Sequence, residues 1–301
     1  MRPIAWAFPM ALALSLVARA EDAARTYDIK IEQKPVVGQK TDSVKTTSMK
    51  TKMKMVQDGQ VLKEEGKEEN GSYEFTCEVT AVDGDEMTGA TWTFRKATHL
   101  EGGQPVAWGF EGKTVTGKLG EDGAWEFACE DESELSEEEV AGIKDATGKK
   151  KKKGKDEPDM DDVFKPKNPV KVGESWSPDL EALAKSFGGD NLKVDVEDSK
   201  ATCTLKSVET RDGATCGTIL VDIDLSIGSI PPMTFNEPFH FAIAFKLDVC
   251  IDGSRPDGKM SATLKLDGTR KATMKQGKQT MNFDMSLGLD GVMEETRKAA
   301  K

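Results

Sequence analysis

Histidine is nearly absent from this chain of 301 residues, which holds only His99 and His240. That count excludes a histidine-rich metal centre, and a Ser-His-Asp triad would have to use one of the two. No GxSxG, HExxH or phosphate-cradling glycine loop occurs. Carboxylates gather in "AVDGDEM" and "DEPDMDDVF", but neither stretch has the alternating ligand spacing of an EF-hand. The five cysteines include no CxxC and fit no zinc pattern. No catalytic residue, metal or cofactor is therefore expected, and the chain reads as a non-enzyme.

Long apolar runs are missing everywhere except at the N-terminus. Arg2, the apolar stretch from Ile4 to Val17 and the small-x-small end Ala18-Arg19-Ala20 make a secretory signal peptide over residues 1–20. The run falls short of the roughly twenty residues that a spanning helix needs. A secreted or periplasmic mature chain with no membrane span is expected. Losing Arg2 and Arg19 takes the formal charge from −11 to −13. Such acidity works against nucleic-acid and anionic-membrane partners.

One stretch runs against that charge: "ATGKKKKKGKDEPDMDD", residues 146–162, with five consecutive lysines. From Glu130 to Asp162, however, thirteen carboxylates stand against seven lysines, a net of −6. At physiological salt, charges within about 8 Å still feel one another, so the flanking acids neutralise the run. It has no aromatic residue to stack on a base, and Gly148, Gly154 and Pro158 break any helix. The run reads as a charged flexible linker over residues 147–167.

What the chain has in quantity is period-two alternation, the mark of half-buried strands. "TYDIKIEQ" sets Tyr27, Ile29 and Ile31 on one face, and "KTTSMKTKMKMV" sets Met49, Met53 and Met55 against lysines. Hairpin turns are expected at Asp58-Gly59, Asp83-Gly84, Asp212-Gly213 and Gln276-Gly277-Lys278. Two short helices are expected. The first, near 136–147, carries a Ser136/Glu139 capping box; the second, 177–187, has Ser177 as N-cap and Pro178 in its first turn. The prediction is a mostly β protein of two similar halves, residues 21–146 and 168–301. Each half is made of long curved antiparallel strands, in a half-barrel or a sandwich, with bends at Gly228 or Gly268. "PVVGQ" at 35–39 and "PVKVGESW" at 169–176 open the halves alike.

Alternation also suggests two disulfides, Cys77–Cys129 and Cys216–Cys250, with one thiol left over. Methionine is pliable and suits a surface that accepts varied apolar partners. An apolar groove is accordingly placed on Met49, Met53, Met55, Trp176, Phe187, Met274, Met281, Phe283 and Met285. The segment Val172-Gly173-Glu174-Ser175-Trp176, followed by a capped helix, resembles a family of exported bacterial β-rich proteins with no assigned activity. The resemblance implies a cell-envelope location and no catalytic residues. The curved sheet with a helix plug also looks like the half-barrel lipoprotein carriers of the periplasm, although their lipid-attachment cysteine is missing. The expected function is an exported binding or scaffold protein of the bacterial cell envelope that holds a lipid or other apolar ligand. A structural or protein-interaction role without a pocket is the alternative, and an envelope hydrolase is a more distant one.

Overall fold

A computed structural model describes residues 25–31, 33–149, 163–188, 192–276 and 279–300. The segment expected to be a signal peptide, residues 1–20, and the lysine run from Lys150 onward lie outside them. Seven strands come first: β1 (Thr26–Tyr27), β2 (Lys40–Gln57), β3 (Gln60–Asp83), β4 (Glu86–Glu101), β5 (Gln104–Ala107), β6 (Thr114–Leu119) and β7 (Trp125–Cys129). Helix α1 (Glu137–Thr147) follows, then β8 (Val170–Lys171), β9 (Ser175–Trp176) and helix α2 (Leu180–Gly188). The chain ends in β10 (Lys193–Arg211), β11 (Ala214–Ile230), β12 (Met233–Cys250), β13 (Gly258–Gln276) and β14 (Gln279–Ala299).

The long strands form one antiparallel sheet of twelve, in the order β7-β6-β4-β3-β2-β14-β13-β12-β11-β10-β9, with β5 beside β4. The sheet is open rather than closed into a barrel. The halves are therefore continuous: β2, the first long strand, pairs with β14, the last, from Asp284–Val56 to Ala299–Thr41. Asp58 and Gly59 both take positive φ (51° and 80°), as do Asp212 and Gly213 (47° and 86°). That is the geometry whose twist matches a two-residue hairpin. Gly228 sits at the register shift between β11 and β12. Gly268 takes φ 147° where the β12–β13 ladder lapses between Phe235 and Phe241. Both expected bend points thus fall at irregularities.

The likeness of the two openings extends to individual hydrogen bonds. Gly38 donates to Val79 and Gln39 to Val36, while Val79 donates back to Gln39; Gly173, Glu174 and Leu205 repeat the pattern with Lys171 in the place of Val36. The side chains agree as well, with the Val36 amide on Gln39 Oε1 and the Lys171 amide on Glu174 Oε2. Thr41 then faces Cys77 as Trp176 faces Cys203. After that the halves diverge, because β9 stops at Trp176 and the chain leaves the sheet for α2.

Two helix-covered cores flank a third. In the N-terminal half Trp92, Phe94, Phe110 and Val115 pack beneath Ile143 and Ala146 of α1. The capping box on Ser136 and Glu139 is present. In the C-terminal half Leu205, Ile219, Leu225 and Ile243 pack with Leu183 of α2. Helix α2 starts later than expected. Asp179, not Ser177, accepts the Ala182 amide, and Gly188 ends the helix rather than following it.

Two segment boundaries also shift. Tyr27 and Ile29, assigned to the N-terminal half, are buried in the C-terminal core, where β1 pairs with β8. Val163, assigned to the linker, is buried there too, and the Phe164 carbonyl accepts the Trp176 indole at 2.8 Å. Apolar side chains decide both cases: each is drawn to the nearest uncovered strand face. Among the described residues no helix is long and apolar enough to cross a membrane.

Candidate functional site

The strands that the alternation pattern built also supply the site. On one face of the central strands the side chains fall into rows across the ladder. One row runs Leu266, Leu289, Thr51, Lys67; the next runs Gly268, Leu287, Met53, Glu65. Between them lies an open trough of about 610 Å³. Leu266, Leu287, Leu289 and Met53 form its apolar lining, and Glu65 and Lys67 stand at its β3 end. Gly268 contributes no side chain to its row, and the leucines on β14 stay half-buried. The arrangement suits contact with an extended apolar chain whose polar end meets a charge at the rim.

Only part of the expected groove lines this trough. Met53 does, and Met55, Met274 and Met281 continue the same face beyond it. Met49 lies one row the other way, opposite Gly291 and Glu69. Phe283 and Met285 are sealed in the third core with Phe235 and Phe239, Met285 only 1% exposed, so they are filler rather than lining. Trp176 and Phe187 pack instead in the C-terminal core near α2. Spacing identifies a residue as apolar but not the cluster that it joins. Leu266, Leu287 and Leu289 fall outside an expectation built on methionines and aromatics, although Leu287 and Leu289 share the period-two face of Met281 and Met285.

A polar cluster lies beside the N-terminal core, with Lys45 and Tyr73 buried and Asp145 exposed. Lys45 on β2 is 8% exposed, donates to the Asp145 carbonyl in the last turn of α1 and sits 3.7 Å from the Asp145 carboxylate. A cation at a helix C-terminus opposes the negative end of the macrodipole. The Tyr73 hydroxyl donates to the same carboxylate at 3.4 Å. Together they fasten α1 to the sheet. Burial first, then the Asp145 charge, push the Tyr73 hydroxyl from its usual 10.0 up to about 12. Because the folded state holds this proton longer, its contribution is intact below pH 10 and is lost as pH rises toward 12. Tyr73→Phe should therefore flatten the alkaline fall in stability. In a Tyr27→Phe background, which leaves Tyr73 as the sole tyrosine, tyrosinate absorbance should grow in only well above pH 10.

The nearest approach to catalytic geometry involves the two histidines. His240 Nδ1 lies 3.0 Å from Asp224 Oδ1, and Ser226 faces His240 across the ladder. Ser226 is 0% exposed, with its amide bonded to Ser199 in the irregular stretch of β10, so no substrate reaches its hydroxyl. His99 stacks on Trp108 with ring centroids 3.8 Å apart and its Nδ1 buried without a partner. Among the described residues no group of three or more His, Cys, Asp or Glu side chains is placed to hold a metal ion.

The cysteines divide. Cys77 and Cys129 share one row, Cys77–Trp92–Val115–Cys129, with two strands between them. At roughly 4.8 Å per strand their backbones stand about 14 Å apart, beyond any disulfide. That expectation is corrected. Same-face alternation does not tell neighbouring strands from distant ones. Cys216 and Cys250 are direct cross-strand partners, with Sγ atoms 2.6 Å apart and both residues buried.

No protein-family model matches the chain, and no curated protein does so at a significant level.

Proposed function

We propose that this is an exported, non-catalytic binding protein of the bacterial cell envelope that holds an apolar chain, such as a lipid acyl tail, in the central trough. One observation carries the reading: leucines 266, 287 and 289 and Met53 border an open trough at the middle of the sheet. Side chains of this size gain about 25 cal/mol for each Å² removed from water, and a ligand supplies that cover. Glu65 and Lys67 at the rim give an amphipathic ligand somewhere to place its head group. The N-terminal signal-peptide pattern supports export.

The test is titration with a fluorescent long-chain fatty acid, beside native mass spectrometry of freshly purified protein. Saturable binding is expected in the parent. Leu289→Arg places a charge among the lining leucines and should weaken binding at least about tenfold, as loss of one well-buried side-chain contact does. It should leave the melting temperature nearly unchanged, since Leu289 is only half-buried. No binding and no copurifying lipid would remove the reading. It would leave the alternative, an envelope scaffold whose exposed strand edges do its work.

A further inference from the structure

β3 begins at Gln60, yet its ladder with β4 starts only at Gly71, opposite His99. Residues 60–69 are all solvent-exposed, with β2 on one side of them and, among the described residues, no strand on the other. The Val79 amide donates to Gln39, on the β2 side. Amides alternate sides along a strand, and the β2–β3 register is unbroken from Glu78 back to Lys63. Glu64, Gly66, Glu68 and Asn70 therefore turn their N–H and C=O groups outward.

Bare edges of this kind are commonly blunted by charge. Here the charge has a pattern. Lys63, Glu65, Lys67 and Glu69 alternate in sign along one face. We infer that this edge pairs antiparallel with the same edge of a second copy of the chain, with Gly66 opposite Gly66 on the two-fold axis. In that register Lys63 meets the partner's Glu69, and Glu65 meets the partner's Lys67, in both directions. A slip by two residues either way sets Glu65 against Glu65 or Lys67 against Lys67, so the alternation selects one register. On the opposite face the pairing brings Glu64 near the partner's Glu68. Both are already held at 3.2 Å by lysines of β2, Glu64 by Lys54 and Glu68 by Lys50. The outward groups of Glu64, Gly66 and Glu68 supply on the order of six backbone hydrogen bonds across the axis.

Such a two-fold keeps the same sheet face on the same side in both copies. Glu65 and Lys67 also border the trough. Pairing thus sets two troughs end to end, with a charged checkerboard between two apolar beds. This consequence rests on the proposed binding role; the pairing itself does not, and it is measured without ligand.

The experiment is sedimentation equilibrium of the full mature chain at micromolar concentrations, because an edge-only contact is smaller than a standard stable interface. A reversible dimer that weakens with added salt is expected. Lys67→Glu turns two attractive cross-strand pairs into repulsive ones and should raise the dissociation constant roughly tenfold or more. The double variant Glu65→Lys/Lys67→Glu restores opposite signs at both contacts and should restore the dimer. Gly66→Pro gives a second reading. It removes an amide that β2 does not use, so the monomer should keep its melting temperature while pairing is lost. A monomeric parent across this concentration range overturns the inference, as does a dimer indifferent to both Lys67→Glu and Gly66→Pro.

Discussion

Replacing Trp92 by alanine should lower the unfolding free energy by about 3–5 kcal/mol, the largest loss expected of any single side chain here. Trp92 is 1% exposed and packs edge-on against Trp125, with ring centroids 5.7 Å apart, and tilted against Phe127 at the same distance. Its ring also lies over Gly117, where an added Cβ would come within 2.6 Å of it. Cys77 flanks it on one side of the ladder and Val115 on the other. Neighbours on adjacent strands cannot close in without breaking ladder hydrogen bonds, so the cavity persists and adds to the lost transfer energy. Urea denaturation should show the midpoint falling with an unchanged slope. Trp176→Phe provides the contrast. That indole is only half-buried and loses one bond to the Phe164 carbonyl, so about 1 kcal/mol is expected. Equal losses in the two variants would mean that the N-terminal core does not pack around Trp92.

The second large effect is covalent. After passage through an oxidising compartment, Cys216 and Cys250 should be joined, leaving Cys77, Cys129 and Cys203 as the thiols that alkylate once the protein is unfolded. The two partners face each other across β11 and β12 with their sulfur atoms at 2.6 Å, whereas Cys77 and Cys129 stand two strands apart. Closure takes two protons and two electrons from the pair, accepted by a disulfide-carrying oxidant. The loop between the cysteines spans 34 positions. A cross-link of that length stabilises by about 3–4 kcal/mol in the chain-entropy description.

Reduction, or Cys216→Ser, should therefore lower the melting temperature by roughly 10 °C in a domain of this size, while Cys203→Ser under oxidising conditions keeps the bridge. Burial first, then Cys216, raise the Cys250 thiol to about 12. A protein folded in reductant should accordingly oxidise slowly, because both cysteines are buried and the Cys250 thiolate is scarce. Five alkylatable cysteines in protein secreted through an oxidising route would defeat this expectation.

The fold is legible in the sequence where its cause is local. Alternation identified the strands and the face that each would bury, and Asp-Gly pairs located two hairpin turns that take the expected positive φ. These are local properties, carried by a few adjacent residues. Partner choice is not local. Nothing in "KTTSMKTKMKMV" says that its second neighbour is the last strand of the chain rather than another strand of its own half. The same gap misplaced the Cys77–Cys129 bridge and put Trp176 and Phe187 in a groove with Met281. Cys216 and Cys250 stand opposite each other, as free thiols, because one intervening hairpin fixes their alignment. The trough was legible as an apolar face, but not as an opening. Its position depends on which leucines the third core leaves uncovered.

The seam between β2 and β14 has a consequence for biogenesis. Residues 40–57 emerge early in synthesis, yet one flank of that strand stays bare until residues 279–299 have been made as well. Sixteen aligned positions then zip together at once. Until then the leading part of the molecule carries an unfilled backbone template, the state most open to wrong annealing with other chains. A holding factor acting on the nascent chain would have that interval, and that stretch of backbone, as its target.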